Sequence, residues 1–390
     1  MWVRHGAGGL RLMVGLMATL ASVWMGYQFW RLLWQQGYWG AIDLKTFHRL
    51  VQSWFAGASI YTHIKTAVHP PATYLLLWPL VGWLDLTPTR WLWAATTVIA
   101  LVWLIRVIVA ESNADTPLER AFVTMLPLSM YATGATIGNG QLIIHILPVL
   151  LFGLLRLFQA PPNWSNDALI ALTFLFALVK PSVAAPFFWI ILFCPGRSRP
   201  GALILAGYVA LTLFAALFQT ESLPTLLSTW LANPAVGQPG QANIRAWLVS
   251  LGLREWALPA SIILLLAHAT WLYRYRSTDL WILLGVTALA ARISVYHRWY
   301  DDLLILLPMI ALFRIAKSGA PDGNDIAAGV LLALCVFATL APGGLYLFPE
   351  PWNTLYTTLQ TLIWFLVLIF LIARARHNRK EISRESVTQR

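Results

Sequence analysis

The chain is 390 residues long, 58% hydrophobic and only 11% charged, with a mean hydropathy of +0.66; this excludes a string of soluble domains or a disordered chain. Its formal charge of +11 does not mark a nucleic-acid binder, because the basic residues are scattered between apolar segments and form no continuous basic face. The two cysteines, Cys194 and Cys335, are far apart and in or beside apolar runs, so neither a structural disulfide nor a zinc site is expected.

Leu-, Ala- and Trp-rich runs of about twenty residues recur, without the strong alternation of a membrane β-barrel. Helices are the remaining way to cross a bilayer. The expected fold class is an all-α polytopic membrane protein.

The first run, residues 12–33, follows Arg4 and Arg11 but is too long and aromatic for a signal-peptide core, so it is expected to be an uncleaved first span. Directly after it comes YWGAIDLKTFHRLVQSWFAGASIYTHIKTAVHPP, residues 38–71, with Asp43, Lys45, His48, Arg49, His63, Lys65 and His69. So many ionisable groups are costly beside a bilayer, which argues that they have a task. Asp43 is the expected chemical centre. Within this stretch, residues 43–56 place Leu44, Phe47, Leu50, Val51, Trp54 and Phe55 on one side of a helix, the pattern of an interfacial helix lying on the outer leaflet.

Further apolar runs at 70–84, 90–109, 139–158, 168–179, 183–194, 201–219, 256–273, 279–293, 301–316, 326–345 and 354–373 bring the expected total to about twelve crossings. A further apolar piece, 121–135, upsets the parity of the crossings and is expected to be re-entrant or broken. Residues 1–374 then form a single transmembrane domain, and 375–390 a basic, disordered cytoplasmic tail. With that sidedness, four polar stretches converge on the extracytoplasmic face: the Asp43 loop, Gly138-Asn139-Gly140-Gln141, Lys180-Pro181-Ser182 and the run Tyr296 to Asp302. The loop of residues 220–255 joins them, and its NPAVGQPGQANIRAW segment resists regular helix and suits a shaped binding loop. No internal repeat is visible, which weakens a transporter built from duplicated halves.

An acidic residue just after the first span, an aromatic GxxxY-like stretch (Gly57 to Tyr61), a Pro70-Pro71 pair opening the next span, then Gly140-Gln141, Lys180-Pro181 and a late loop with His297 occur in this order over roughly residues 40–310. The set resembles glycosyltransferase family 87, of the membrane-embedded C-type (GT-C) glycosyltransferases. That family usually carries Tyr before the Pro pair, where this chain has His69. The resemblance implies a GT-C fold and an inverting transferase located in the cytoplasmic membrane. It would move one sugar, a mannose-like hexose or a pentose, from a polyprenyl-phosphate donor to a lipid or glycan acceptor on the extracytoplasmic side. The chain has no Asp-x-Asp metal loop, Walker loop or Rossmann fingerprint for a nucleotide sugar, in keeping with a lipid-borne donor and with no cofactor or metal.

On this resemblance Asp43 is the general base for the incoming hydroxyl; the alternative is an N-cap of the helix beginning beside it. Lys180 is a contact to the donor phosphate or an interfacial lysine snorkelling to water. His297 and Arg298 are further phosphate contacts, unless Arg298 pairs with Asp301 or Asp302. Asn139 and Gln141 bond sugar hydroxyls, or else serve backbone groups freed by a helix break. Lys45, His69 and Tyr74 are peripheral substrate contacts. Competing classes are a lipid or polysaccharide transporter, an oligosaccharide ligase and a non-enzymatic scaffold.

Overall fold

The computed structural model describes residues 2–64, 66–233, 241–318 and 324–388. Lys65 and residues 234–240 of the expected binding loop lie outside the described residues. All described regular structure is helical. Five helices are long and apolar enough to cross a membrane: Gly8–Leu33, Leu86–Glu111, Ser198–Ala216, Arg254–Tyr275 and Trp352–His377. A sixth arises if Tyr131–Asn139 and Ile143–Gln159, bent by 116° at their junction, form one broken span. The chain is thus all-helical, with several helices suited to a bilayer.

The other expected crossings fall on shorter apolar helices, such as Pro71–Val81, Trp164–Ala177, Pro181–Leu192 and Leu280–Ser294. At 1.5 Å per residue each falls short of the roughly 30 Å hydrocarbon layer. The expected broken segment, 121–135, is divided between the helices Pro117–Ser129 and Tyr131–Asn139. The sharp bend comes a few residues later, at the glycine turn 138–141. The polar tail also differs from expectation, since its backbone continues the last helix to Thr388; extending a formed helix costs far less than starting one.

The chain divides into two compact units, interleaved in sequence. One comprises Gly26–Leu104 and Ala135–Gln238 and carries Asp43; the other comprises Met1–Met25, Ile105–Gly134 and Pro239–Arg390 and carries His297.

In the Asp43 unit the amphipathic helix Ile42–Phe55 buries Leu44, Phe47, Leu50, Val51 and Trp54, five of the six residues the periodicity placed together. It packs on Pro71–Val81, which in turn meets Ser198–Ala216. Trp54 stacks on Tyr74 at 4.9 Å and gives its indole N–H to the carbonyl of Ala215 at 3.0 Å, so the buried donor is satisfied. The helix ends at Gly57, whose φ of +76° is the left-handed stop that glycine takes without penalty. Pro71 opens the next helix at its first position, where a missing N–H leaves nothing unsatisfied.

In the His297 unit, Leu280–Ser294 and Leu306–Lys317 are both largely buried. Leu306–Lys317 packs on Leu280–Ser294 and Asn324–Thr339, and Leu280–Ser294 also packs on the last helix. A 3-10 turn, Trp299–Ile305, links the two buried helices and places Asp301 and Asp302 inside the unit.

Candidate functional site

The chain enters the amphipathic helix through Ala41, which has φ 50° and ψ 42° and no side-chain cap. A non-glycine residue in the left-handed region costs on the order of 1–3 kcal/mol and is held only by surrounding structure. Here that structure is the glycine turn: the Ala41 amide donates to the carbonyl of Gly138 at 3.2 Å. Gly140 takes φ +72°, and a Cβ on it would collide with Leu44, while one on Gly138 would collide with Gln28. Both glycines therefore permit a close approach that any side chain would block.

Asp43 stands in the first turn of this helix, half-buried, while Ala41 holds the capping position. Its carboxylate acts electrostatically on the guanidinium of Arg31, at the end of the first helix. Arg31 donates to Gln28 at 2.8 Å, to the carbonyl of Trp39 at 2.8 Å and to Asn139 Oδ1 at 3.1 Å. On the other side of the turn, Gln141 Oε1 accepts from the buried ammonium of Lys180 at 3.4 Å. Lys180 is only 4% exposed, which is not the posture of a lysine snorkelling to water. Thr73, two residues beyond the Pro pair, donates to the carbonyl of Val179 at 3.0 Å and pins the chain just before Lys180.

Four expected residues, Asp43, Asn139, Gln141 and Lys180, thus meet around one turn. The amide oxygens of Asn139 and Gln141 serve cations there. His69 lies on the flank, its ring 5.5 Å from that of Phe47. Its carbonyl accepts from Tyr61 at 2.8 Å and Tyr74 at 3.3 Å. Burial and the neighbouring Tyr74 push the Tyr61 phenol up from its ordinary value, so it stays a neutral donor. Tyr74 is wholly buried against Trp54 and acts as support.

Lys45, expected as a peripheral substrate contact, is tied to the loop that precedes the helix. Its ammonium donates to the carbonyls of Gly37 and of Tyr38, the latter at 3.3 Å. Burial and the nearby Arg90 hold it below its ordinary value. Arg90, itself buried, reaches the carbonyls of Leu33, Gln35 and Gly40 at 3.3–3.5 Å. Three cations, Arg31, Lys45 and Arg90, therefore fasten the loop that delivers Asp43. Sequence reasoning missed both arginines. Each sits at the edge of an apolar run, where the cost of its charge was the available signal.

In the other unit, His297 is fully buried, with Nδ1 3.1 Å from the carbonyl of Val295. Arg298 is exposed, and its Nε donates to the Tyr296 hydroxyl at 2.7 Å. Asp301 accepts from the Arg298 amide at 3.0 Å and so caps the 3-10 turn. Asp302 is committed to the buried Arg292, which pairs with it, and to the Tyr131 hydroxyl. Among the described residues no group of three or more His, Cys, Asp or Glu gathers as metal ligands do. Of the tryptophans suited to stacking on a sugar, Trp54 is buried, Trp299 lies between the near-parallel rings of Tyr131 and Tyr346, and Trp230 donates to the carbonyl of Val68 at 3.0 Å.

Comparison of the chain with protein-family models, with curated proteins and with solved structures finds no match.

Proposed function

We propose that the chain is an inverting membrane glycosyltransferase of the GT-C type, moving a single sugar from a polyprenyl-phosphate donor to a lipid or glycan hydroxyl on the extracytoplasmic side of the cytoplasmic membrane. The observation that carries this reading is the meeting of Asp43, Asn139, Gln141 and Lys180 around the 138–141 turn. A carboxylate, two amides and a buried cation are the groups that such a transfer needs in one place.

In this reaction the acceptor oxygen attacks the anomeric carbon as the bond from that carbon to the phosphate oxygen breaks. The hydroxyl proton passes to Asp43, and polyprenyl phosphate leaves with one more negative charge. Attack opposite the leaving group inverts the anomeric centre. Lys180 offsets the charge that develops on the phosphate, and the amides of Asn139 and Gln141 bond the sugar hydroxyls. His69 lies beside the sugar, while Lys45 and Tyr74 hold the frame. No metal or cofactor enters, because these cations carry the electrostatic stabilisation.

The test is transfer of radiolabelled sugar from synthetic short-chain polyprenyl-phosphate donors to extracted membrane lipid by the purified chain. A product heavier than its acceptor by one sugar is expected, whereas a whole oligosaccharide would make it a ligase. No transfer from any donor, together with passage of labelled lipid across proteoliposomes, would replace the enzyme by a transporter.

A further inference from the structure

In the Asp43 unit, three helix ends meet at the far end of the helix that follows the 138–141 turn. Ile143–Gln159 carries Arg156 in its last turn, Trp164–Ala177 carries Asp167 in its first, and Ser198–Ala216 begins beside Arg197 and Arg199. Asp167 is 1% exposed and is the one acid between residues 135 and 220. It answers two arginines, Arg197 at 2.7 Å and Arg199 at 3.3 Å. Arg156 bonds the neighbouring Asn166 through Nε at 3.0 Å. Three guanidinium groups against one carboxylate leave two positive charges in excess, which is costly beside a bilayer unless an anion meets them.

The two arginines on Asp167 are not placed alike. Arg197 is buried and is spent on the frame, since it also donates to the carbonyls of Leu157 at 2.8 Å and Ala160 at 2.6 Å. Arg199 has a side chain 44% exposed and meets Asp167 through Nε. Its two terminal nitrogens have no hydrogen-bond partner among the described residues. Its guanidinium lies over the ring of Trp164 at 5.1 Å, and Trp164 is itself 67% exposed. A planar fork held at Nε and seated on an aromatic face keeps its remaining donors set for a phosphate.

The surroundings specify what carries that phosphate. Arg199 stands in the first turn of Ser198–Ala216, a helix long and apolar enough to cross a membrane, so it lies at the depth of lipid headgroups, where exposed tryptophan is also at home. Along the same helix Ala202, Ala206, Val209 and Leu213 follow Arg199 at spacings of three or four, and all are exposed. They form an apolar strip about 20 Å long directly beneath the charge. A soluble phosphate has no use for that strip, whereas an acyl chain does.

We propose that Arg199 binds the headgroup phosphate of an anionic phospholipid. Trp164 seats the guanidinium, Arg197 and Arg156 add to the positive potential, and an acyl chain lies along residues 202–213. Such a lipid serves an enzyme or a transporter alike.

The experiment measures retention of radiolabelled phosphatidylglycerol by the purified full-length chain in detergent micelles, with phosphatidylcholine and inorganic phosphate as competitors. Wild-type protein should keep the label against an equimolar amount of either. Arg199→Gln should weaken retention about tenfold, the scale of one charge-assisted contact. Arg199→Lys keeps the charge and, at the wild-type thermal midpoint, should recover part of the loss, which separates binding from misfolding. Arg274→Gln removes an exposed arginine from the last turn of another helix suited to the membrane and should retain the lipid as wild type does. Undiminished retention in Arg199→Gln overturns the site. An equal loss in Arg274→Gln also overturns it, by reducing the effect to general surface charge. Displacement by equimolar inorganic phosphate or phosphatidylcholine removes the anionic lipid as the occupant.

Discussion

At the scale of single residues, cost decides what can be recognised. Asp43, Asn139, Gln141 and Lys180 stand out in the sequence because polar groups are few in an apolar chain and expensive to place there. Arg31, Arg90 and Arg292 did not, since an arginine at the end of an apolar run is also what orients a helix in the membrane. Contact alone revealed that they hold carbonyls and carboxylates. The glycine turn gives a direct prediction. Gly140→Ala places a Cβ against Leu44 at φ +72°, so it should destabilise the protein by about 1–3 kcal/mol and lower transfer; unfolding in detergent at the wild-type midpoint would contradict the tight seat. Lys180→Met should raise the donor KM by roughly tenfold or more, from loss of one charge-assisted contact. An unchanged donor KM would leave Lys180 a purely structural cation.

At the scale of elements, periodicity was the reliable signal. The spacing of Leu44, Phe47, Leu50, Val51, Trp54 and Phe55 predicted one apolar helix face laid on the outer leaflet, and the helix buries five of these six residues within the protein. The residue that starts it was illegible, because nothing local makes Ala41 left-handed; the Gly138 carbonyl, nearly a hundred positions on, does so. A second element-level device fastens the helix Pro117–Ser129 to Leu306–Lys317. Lys317 bonds Asp115 at 2.8 Å and Glu119 at 2.7 Å, and Glu119 closes a capping box with Thr116. Burial works against both charges. Even so, the hydrogen bonds from Lys317 and from the Thr116 and Asp115 amides hold the Glu119 carboxyl below its ordinary value, and the same two acids hold the Lys317 ammonium above its own. With Glu119 depressed, its share of stability is present above the unfolded-state value near 4.5 and is lost as pH falls through the folded one. With Lys317 raised, its share is present below 10.5 and is lost as pH rises through the folded value. Lys317→Ala should therefore cost about 1 kcal/mol, evenly between pH 6 and pH 9, with the gap to wild type closing toward pH 3. A gap that stays constant into acid would show that the pair is not charged when folded.

At the scale of the whole molecule, hydropathy identified the class but not the count. Apolar runs such as 168–179 and 279–293 carry the composition of a span without its length, because their helices stop after about fifteen residues. Helix ends are set by partners and breakers, and composition alone does not report them. Nor did the sequence mark a division into two interleaved units, since the chain passes between them inside continuous helices, as at Met25 and Leu104. The activity proposed for this architecture depends above all on Asp43 as the base. The decisive measurement is a single turnover of prebound radiolabelled donor in the presence of acceptor lipid, comparing wild type with Asp43→Asn. The account predicts that the variant still binds donor but transfers at least about 10²-fold more slowly, the scale of a lost general base. Undiminished transfer by Asp43→Asn would contradict it.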